Sequence, residues 1–442
     1  MPRTAETRFT RSGDVDIAYQ VFGEGERDIV MTMGWVTHLE VMWELPELAY
    51  FLERLAGIGR VIIFDKRGTG LSDRVSGTVT LEERAEDVGA VMDAARSEQA
   101  AFVGWGDGGG IGAMFAAINP ERISALVLSA MTLITTPDAI EADPIQMALL
   151  WDTIEQGWGN GNMLDLAAPH HASDPRLRTW WRRWERLSAT PNAAATLLRW
   201  GAEADLRPVF RCVQAPTLFL ERANAVMIDP KSVRAAAELT PHGRYVELPG
   251  HDVLPFLGDP DPMLGEIAEF LTGARGSVDP DRTLSTVLFT DIVDSTVKAD
   301  QAGDRGWRHI LESHHSEVRA SLRRFGGVEI DTAGDGFLAT FSGPARAVRC
   351  ACDVRDRVRD LGLEIRAGLH TGEVEHRQDS VSGLAVHVGA RVAARATPGE
   401  VLVTDVVRAL VLGSGISFED RGVHSLRGVP GTWQLFAAVD AP

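Results

Sequence analysis

The sequence predicts a two- or three-domain protein of the α/β class, and three observations predict it. At 442 residues the chain is too long for one ordinary core. From residue 14 to residue 129, apolar strand patterns alternate with helical ones, the arrangement of a parallel sheet covered on both faces. Near the C-terminal third the pattern changes. There, two apolar strands flank a tight-turn signal, Gly334-Asp335-Gly336, as in a hairpin.

Residues 14–22 (Asp-Val-Asp-Ile-Ala-Tyr-Gln-Val-Phe) alternate as a half-buried strand does. Apolar strands follow at 28–33 and 60–64, with a helical stretch near 45–56 between them, and a glycine-rich loop over 65–73. A helix over about 80–97 leads to the strand Ala101-Phe-Val-Gly104, a glycine cluster, and a helix ending near Asn119-Pro120. Residues 123–129 form another buried strand. Before the strand at 217–220 comes an insertion rich in tryptophan: Trp151, Trp158, Trp180, Trp181, Trp184 and Trp200. Their helical spacing predicts a helical lid, about residues 131–205, over the C-terminal edge of the sheet. Most of these rings are expected in lid–core packing, with one or two as candidates for lining a small-molecule pocket. Residues 275–282 lie in a polar stretch rich in turn formers, the composition of a linker between a domain over 1–274 and another over 283–442.

Composition narrows the function classes. Apolar and charged fractions of 45% and 24% are those of a soluble globular protein, and a net charge of −18 argues against nonspecific binding to nucleic acid or to an anionic membrane. Three cysteines make no disulfide framework and no metal-ligand spacing, so core thiols of a reduced, cytoplasmic protein are expected. The N-terminal residues carry no apolar signal region, and no apolar run approaches a membrane span.

The glycine cluster at 104–110 fits Gly-x-Gly-x-x-Gly literally. It falls in the third or later strand–helix unit, however, and no acidic ribose ligand follows. A strand-to-helix elbow explains it better, because such a turn needs small residues two before and two after its centre. Centred on residue 106 those flanks are Gly104 and Gly108, and residue 106 itself is glycine; centred on Asp107, one flank is the bulky Trp105. With the blocks GWVTHLEVMW, FDKRGTGLSD, PTLFL and LPGHDVLPFLGD, residues 8–272 resemble the α/β-hydrolase fold. The resemblance implies that the nucleophile is missing at Gly106 and the triad acid at Ala225. The histidine position falls on His251 in a generic hydrolase reading, and on Val253 by analogy with hydrolase domains fused to cyclases. Asp107 with His251 stays open as a nucleophile–base pair, although nothing orients it.

In the C-terminal part, Thr286-Val-Leu-Phe reads as a buried strand ending at Asp291, and Asp335 sits at the hairpin tip. If the two strands are neighbours, both carboxylates converge, a pair suited to divalent cations holding a nucleoside triphosphate. Thr371-Gly-Glu373 closes the strand over 364–370, and a helical run over 383–393 puts His387 and Arg391 four apart on one face.

FTDIVDST, TAGDGFLATF, GLHTGE, VSGLAVHVGARVAARA and LRGVPGTW, in that order and spacing, resemble the catalytic domain of the class III nucleotide cyclases over residues 282–438. The resemblance implies an α+β ferredoxin-like core, a head-to-tail homodimer with sites at the interface, and two Mg²⁺ or Mn²⁺ ions per site. Asp291, Asp335 and the Ile292 carbonyl would bind the metals, and Arg391 would come from the partner protomer to the α-phosphate. His387 stands where the family keeps a ribose-orienting asparagine, and Arg427 is the nearest match to a triphosphate-binding lysine. At the two base-reading positions, where adenylate cyclases keep lysine and aspartate, stand Asp331 and, from the partner chain, Ser380. Asp331 can accept from adenine or guanine, so chemistry leaves the purine open; analogy with hydrolase-fused relatives favours ATP. The resulting expectation is a cytoplasmic adenylate cyclase with a degenerate, regulatory or ligand-sensing hydrolase-like domain. A guanylate cyclase, a sensor with weak cyclase, and a hydrolase using Asp107 are the alternatives.

Overall fold

The computed structural model describes residues 5–75, 77–130, 144–225, 228, 230–273, 282–377 and 380–440. The chain divides into two compact units, residues 1–279 and 280–442. The expected linker falls almost wholly outside the described residues, as does the start of the lid.

The first unit is built from β1 (Thr7–Ser12), β2 (Val15–Phe22), β3 (Asp28–Thr32), α1 (Pro46–Ala56), β4 (Arg60–Phe64), α2 (Leu81–Ala94), β5 (Ala100–Trp105), α3 (Asp107–Ile118) and β6 (Ile123–Ser129). A helical insertion follows: α4 (Pro144–Gly157), α5 (Met163–Ala167), α6 (Pro175–Ser188), α7 (Pro191–Glu203) and α8 (Arg207–Cys212). The unit closes with β7 (Thr217–Arg222), α9 (Pro230–Leu239), β8 (Gly243–Leu248) and α10 (Asp261–Gly273). Its eight strands run in the order β1-β2-β4-β3-β5-β6-β7-β8; β1 and β2 are antiparallel to their neighbours, and β3 to β8 are parallel. Every residue of β5 is buried, as a central parallel strand requires. Local signals set the helix starts. Thr80 and Glu83 form a reciprocal capping box on α2, and Asp174 and Thr190 cap α6 and α7 ahead of Pro175 and Pro191. The edge strand β1, Thr-Arg-Phe-Thr-Arg-Ser, is too polar to announce itself in sequence and exists because β2 pairs with it along its whole length.

The second unit contains β9 (Arg282–Ile292), α11 (Ser295–Phe325), β10 (Val328–Ala333), β11 (Gly336–Phe341), α12 (Pro344–Arg359), β12 (Ile365–Arg377), β13 (Ser380–Ser382), α13 (Leu384–Ala393), β14 (Val401–Thr404), α14 (Asp405–Leu410), β15 (Ser417–His424) and β16 (Trp433–Asp440). The run β9-α11-β10-β11-α12-β12 is a βαββαβ unit whose strands lie in the order β10-β11-β9-β12, with β14, β16 and β15 continuing the sheet. Thr371-Gly-Glu373 does not end its strand. β12 pairs with β9 without interruption from Ile365 opposite Ile292 to Glu375 opposite Arg282, and that ladder carries the strand through the glycine. Cys350 and Cys352 are buried on α12 and in no disulfide, as expected.

The core of this unit holds neutral imidazoles. His370 on β12 is buried against the Trp433 ring, and its Nδ1 lies 2.9 Å from the Thr404 hydroxyl. Burial pushes its pKa down from 6.5 to about 4. Because the folded value is the lower one, the unfolded chain takes up the proton first as the solution is acidified. The stability this residue contributes is complete above pH 6.5 and is lost as the pH falls towards 4. His370→Gln, which does not titrate, is expected to reduce the loss of stability between pH 7 and pH 4.5 by about 2 kcal/mol. Urea unfolding of the full chain at the two pH values measures it, and an unchanged difference would refute the assignment.

Candidate functional site

Asp291 and Ile292 are the last two residues of β9. The neighbouring strand β11 runs antiparallel, with Phe337 opposite Thr290, and the two-residue turn Gly334-Asp335 precedes it. The register that steps forward from Thr290 to Ile292 therefore steps back from Phe337 to Asp335, and both carboxylates belong to one end of the adjacent strands. Gly334 takes φ +67°, the conformation that favours glycine at this turn. The Asp335 Oδ2 atom is buried without a hydrogen-bond partner among the described residues. Asp291 has a partner the sequence did not reveal: the guanidinium of Arg366, opposite it on β12, donates to its carboxylate at 2.6 Å.

No group of three or more His, Cys, Asp or Glu side chains is gathered for a metal among the described residues. Two carboxylates, one with an orphaned oxygen, fit a hard divalent ion whose remaining ligands are backbone, water and phosphate.

His387 and Arg391 lie one turn apart on the exposed face of α13. The opposite face is pressed onto the sheet: a Cβ on Gly368 would meet the Ala393 backbone nitrogen at 2.0 Å, and one on Gly389 would meet Val287 at 2.6 Å. Only glycine allows that approach, and it fixes which residues of α13 face outward. The Arg391 Nε donates to the backbone carbonyl of Arg427 at 3.1 Å, which ties the helix face to the backbone of a residue 36 positions further on. Asp331 is exposed on β10 beside a β-bulge. The strand carrying Ser380, β13, approaches β10 within the same chain.

In the first unit the elbow is centred on Gly106, which takes φ +50° and ψ −127° directly before α3. A Cβ on Gly104 would meet Gly109 at 2.7 Å, and one on Gly108 would meet the Thr32 carbonyl at 2.6 Å, so both flanks must be small. Ala225 follows β7, and Val253 lines the cavity under the lid together with Gly106. His251 is exposed and stacks on His170, ring centres 4.5 Å apart. Asp107 is occupied as well. Arg84 donates to one of its oxygens at 2.7 Å and Lys66 to the other at 3.1 Å. Burial would raise the Asp107 carboxyl, but Arg84 and Lys66 hold it below the ordinary aspartate value. A carboxylate clamped between two cations is a poor nucleophile, and His251, left open as its base, packs its ring against His170.

The comparisons agree with this division. Residues 29–257 match the family of the alpha/beta hydrolase fold, and residues 281–437 match the adenylate and guanylate cyclase catalytic domain. The chain belongs to the α/β-hydrolase fold family and carries a class III cyclase catalytic domain after the hydrolase-fold domain. An uncharacterised protein of Mycobacterium tuberculosis is 31% identical over 150 residues, covering 33% of this chain and 52% of that protein. The chain thus spans about half the length of this curated relative. A putative adenylate cyclase of Rhizobium meliloti is 31% identical over 158 residues, 34% of this chain and 27% of its own length. The crystal structure of a hydrolase from Pseudomonas aeruginosa is 25% identical, covers 60% of this chain and 98% of its own, and superposes with a TM-score of 0.51. No helix among the described residues is long and apolar enough to cross a membrane.

Proposed function

We propose that the C-terminal domain converts ATP to 3′,5′-cyclic AMP and pyrophosphate in a cytoplasmic head-to-tail homodimer, and that the hydrolase-fold domain is catalytically silent. The observation that carries the reading is the pairing register that brings Asp291 and Asp335 to one strand end, with the buried Asp335 Oδ2 unpartnered. Asp291, Asp335 and the Ile292 carbonyl would hold Mg²⁺ or Mn²⁺. Bound divalent cations would supply Lewis-acid chemistry, neutralising the triphosphate and acidifying the ribose 3′-hydroxyl. Arg366 neutralises Asp291 in the free protomer and is within reach of the same place, so it is a candidate for meeting a triphosphate oxygen once the carboxylate is otherwise engaged. Arg391, held by its bond to the Arg427 carbonyl, would bring positive charge to the triphosphate of the partner's site, with Arg427 the nearest match to a triphosphate-binding lysine. His387 can donate one hydrogen bond to the ribose from the same helix face.

Product analysis of the purified full chain given ATP or GTP with Mg²⁺ or Mn²⁺ tests the reading, and absence of any cyclic nucleotide from either would overturn it. Base choice has its own test. Asp331 accepts from adenine's amino group but faces its ring N1 unfavourably, so ATP binding is expected to be weak. Asp331→Lys with Ser380→Asp is expected to raise ATP turnover relative to GTP by at least about tenfold, the worth of one matched base contact. An unmoved ratio in a folded double variant would mean that these residues do not read the base.

A further inference from the structure

The cavity under the lid of the first domain encloses about 270 Å³ and is walled almost entirely by carbon. Trp158, Trp180, Trp181 and Trp184 of the insertion line it, more rings than packing alone led us to expect. Two of these indoles are anchored by their N–H groups: Trp158 donates to the Ala189 carbonyl and Trp180 to the Val41 carbonyl. Three ionisable groups reach the wall: Glu185, Arg84 and Asp107. Glu185 is satisfied by the N–H groups of Gly159 and Gly161 and by the Trp181 indole. Burial pushes its carboxyl up, against those bonds.

Arg84 is different. It is only 2% exposed, it spends one N–H on Asp107, and its Nε is buried with no hydrogen-bond partner among the described residues. Lys66, whose side chain is also 2% exposed, is the second cation on the same carboxylate and donates in addition to the Gly34 carbonyl. Two buried cations therefore meet on Asp107, with the buried carboxylates of Asp65 and Asp87 close enough to act on Lys66 and Arg84 in turn. An unpaired charged donor in an apolar wall is costly, and a ligand that accepts from it recovers that cost. Beside this pair the elbow is bare. A Cβ at Gly106 would approach nothing closer than Gly34 at 3.6 Å, so the space a nucleophile would occupy is open to a head group.

We propose that this cavity binds an apolar monocarboxylate, its carboxylate on Arg84 beside the bare elbow and its hydrocarbon among the lid tryptophans. A carboxylate accepts a charge-assisted bond from the Arg84 guanidinium, stronger than the bond an uncharged ester accepts. The proposal rests on the reading that Gly106 leaves the domain without a nucleophile, and is independent of the cyclase activity.

Decanoate and methyl decanoate, titrated into the purified full chain and followed by tryptophan fluorescence and calorimetry, test it. Decanoate is expected to bind saturably with one site per chain, and methyl decanoate at least about tenfold more weakly, the worth of one charge-assisted bond. Arg84→Gln is expected to abolish that preference while leaving the affinity for the ester unchanged. Equal affinities for acid and ester, no binding of either, or an Arg84→Gln variant that keeps the preference would overturn the proposal. The acid–ester comparison on the unaltered protein decides even if the variant fails to fold. Methanol release from the ester would instead reveal a working nucleophile and overturn the reading beneath the proposal; it is distinguished by product rather than by affinity.

Discussion

Asp291→Ala and Asp335→Ala are each expected to lower cyclic nucleotide formation by on the order of a thousandfold or more, since loss of a metal ligand removes several kcal/mol of charge stabilisation. Fold and oligomeric state should not change. Asp291 sits at a strand end about half exposed, and its loss costs one surface ion pair with Arg366, worth at most about 1 kcal/mol. Asp335 lies in a turn whose geometry is set by Gly334, and its buried Oδ2 has no partner to lose among the described residues. The effect on turnover should therefore far exceed the effect on stability, which separates a ligand from a structural residue. Circular dichroism, sedimentation and product analysis on the same samples measure all three. Unchanged turnover in both variants would sink the metal assignment.

Much of this site was legible in sequence, because the motifs carry both carboxylates and the turn between β10 and β11. The period of α13 likewise put His387 and Arg391 on one face. What sequence could not supply is register. Arg366 looks like an unremarkable polar residue between Ile365 and Ala367 until β12 is known to pair with β9 with Arg366 opposite Asp291. The same ladder explains why β12 runs on past Thr371-Gly-Glu373, which read as its end. In the first domain, the elbow was legible from its small flanks, and so was the glycine at its centre, residue 106. The ion cluster was not: Lys66, Arg84 and Asp107 come from a loop, a helix and the elbow, and only the packing of α2 against α3 unites them. The tryptophans were countable, but their shared cavity depends on how five helices are laid over the sheet.

Mixing two inactive proteins should restore activity. In the proposed dimer each site takes its metal carboxylates from one protomer and Arg391 from the other, so Asp335→Ala and Arg391→Ala damage opposite halves. Within a protomer the two halves are separately engaged: Arg366 meets Asp291, and Arg391 meets the Arg427 carbonyl. A heterodimer of the two variants then has one site carrying both lesions and one carrying neither. Random exchange of an equal mixture makes about half of the dimers mixed, each with one of two sites intact, so recovery should approach about a quarter of the unaltered rate. Neither variant alone should approach that, because loss of fixed charge at the α-phosphate costs a factor of about a hundred or more. Differently tagged chains allow the mixed dimer to be isolated and its fraction counted. A mixed dimer that is present and inactive would refute the shared site, and would require each protomer to bring its own Arg391 to its own Asp291.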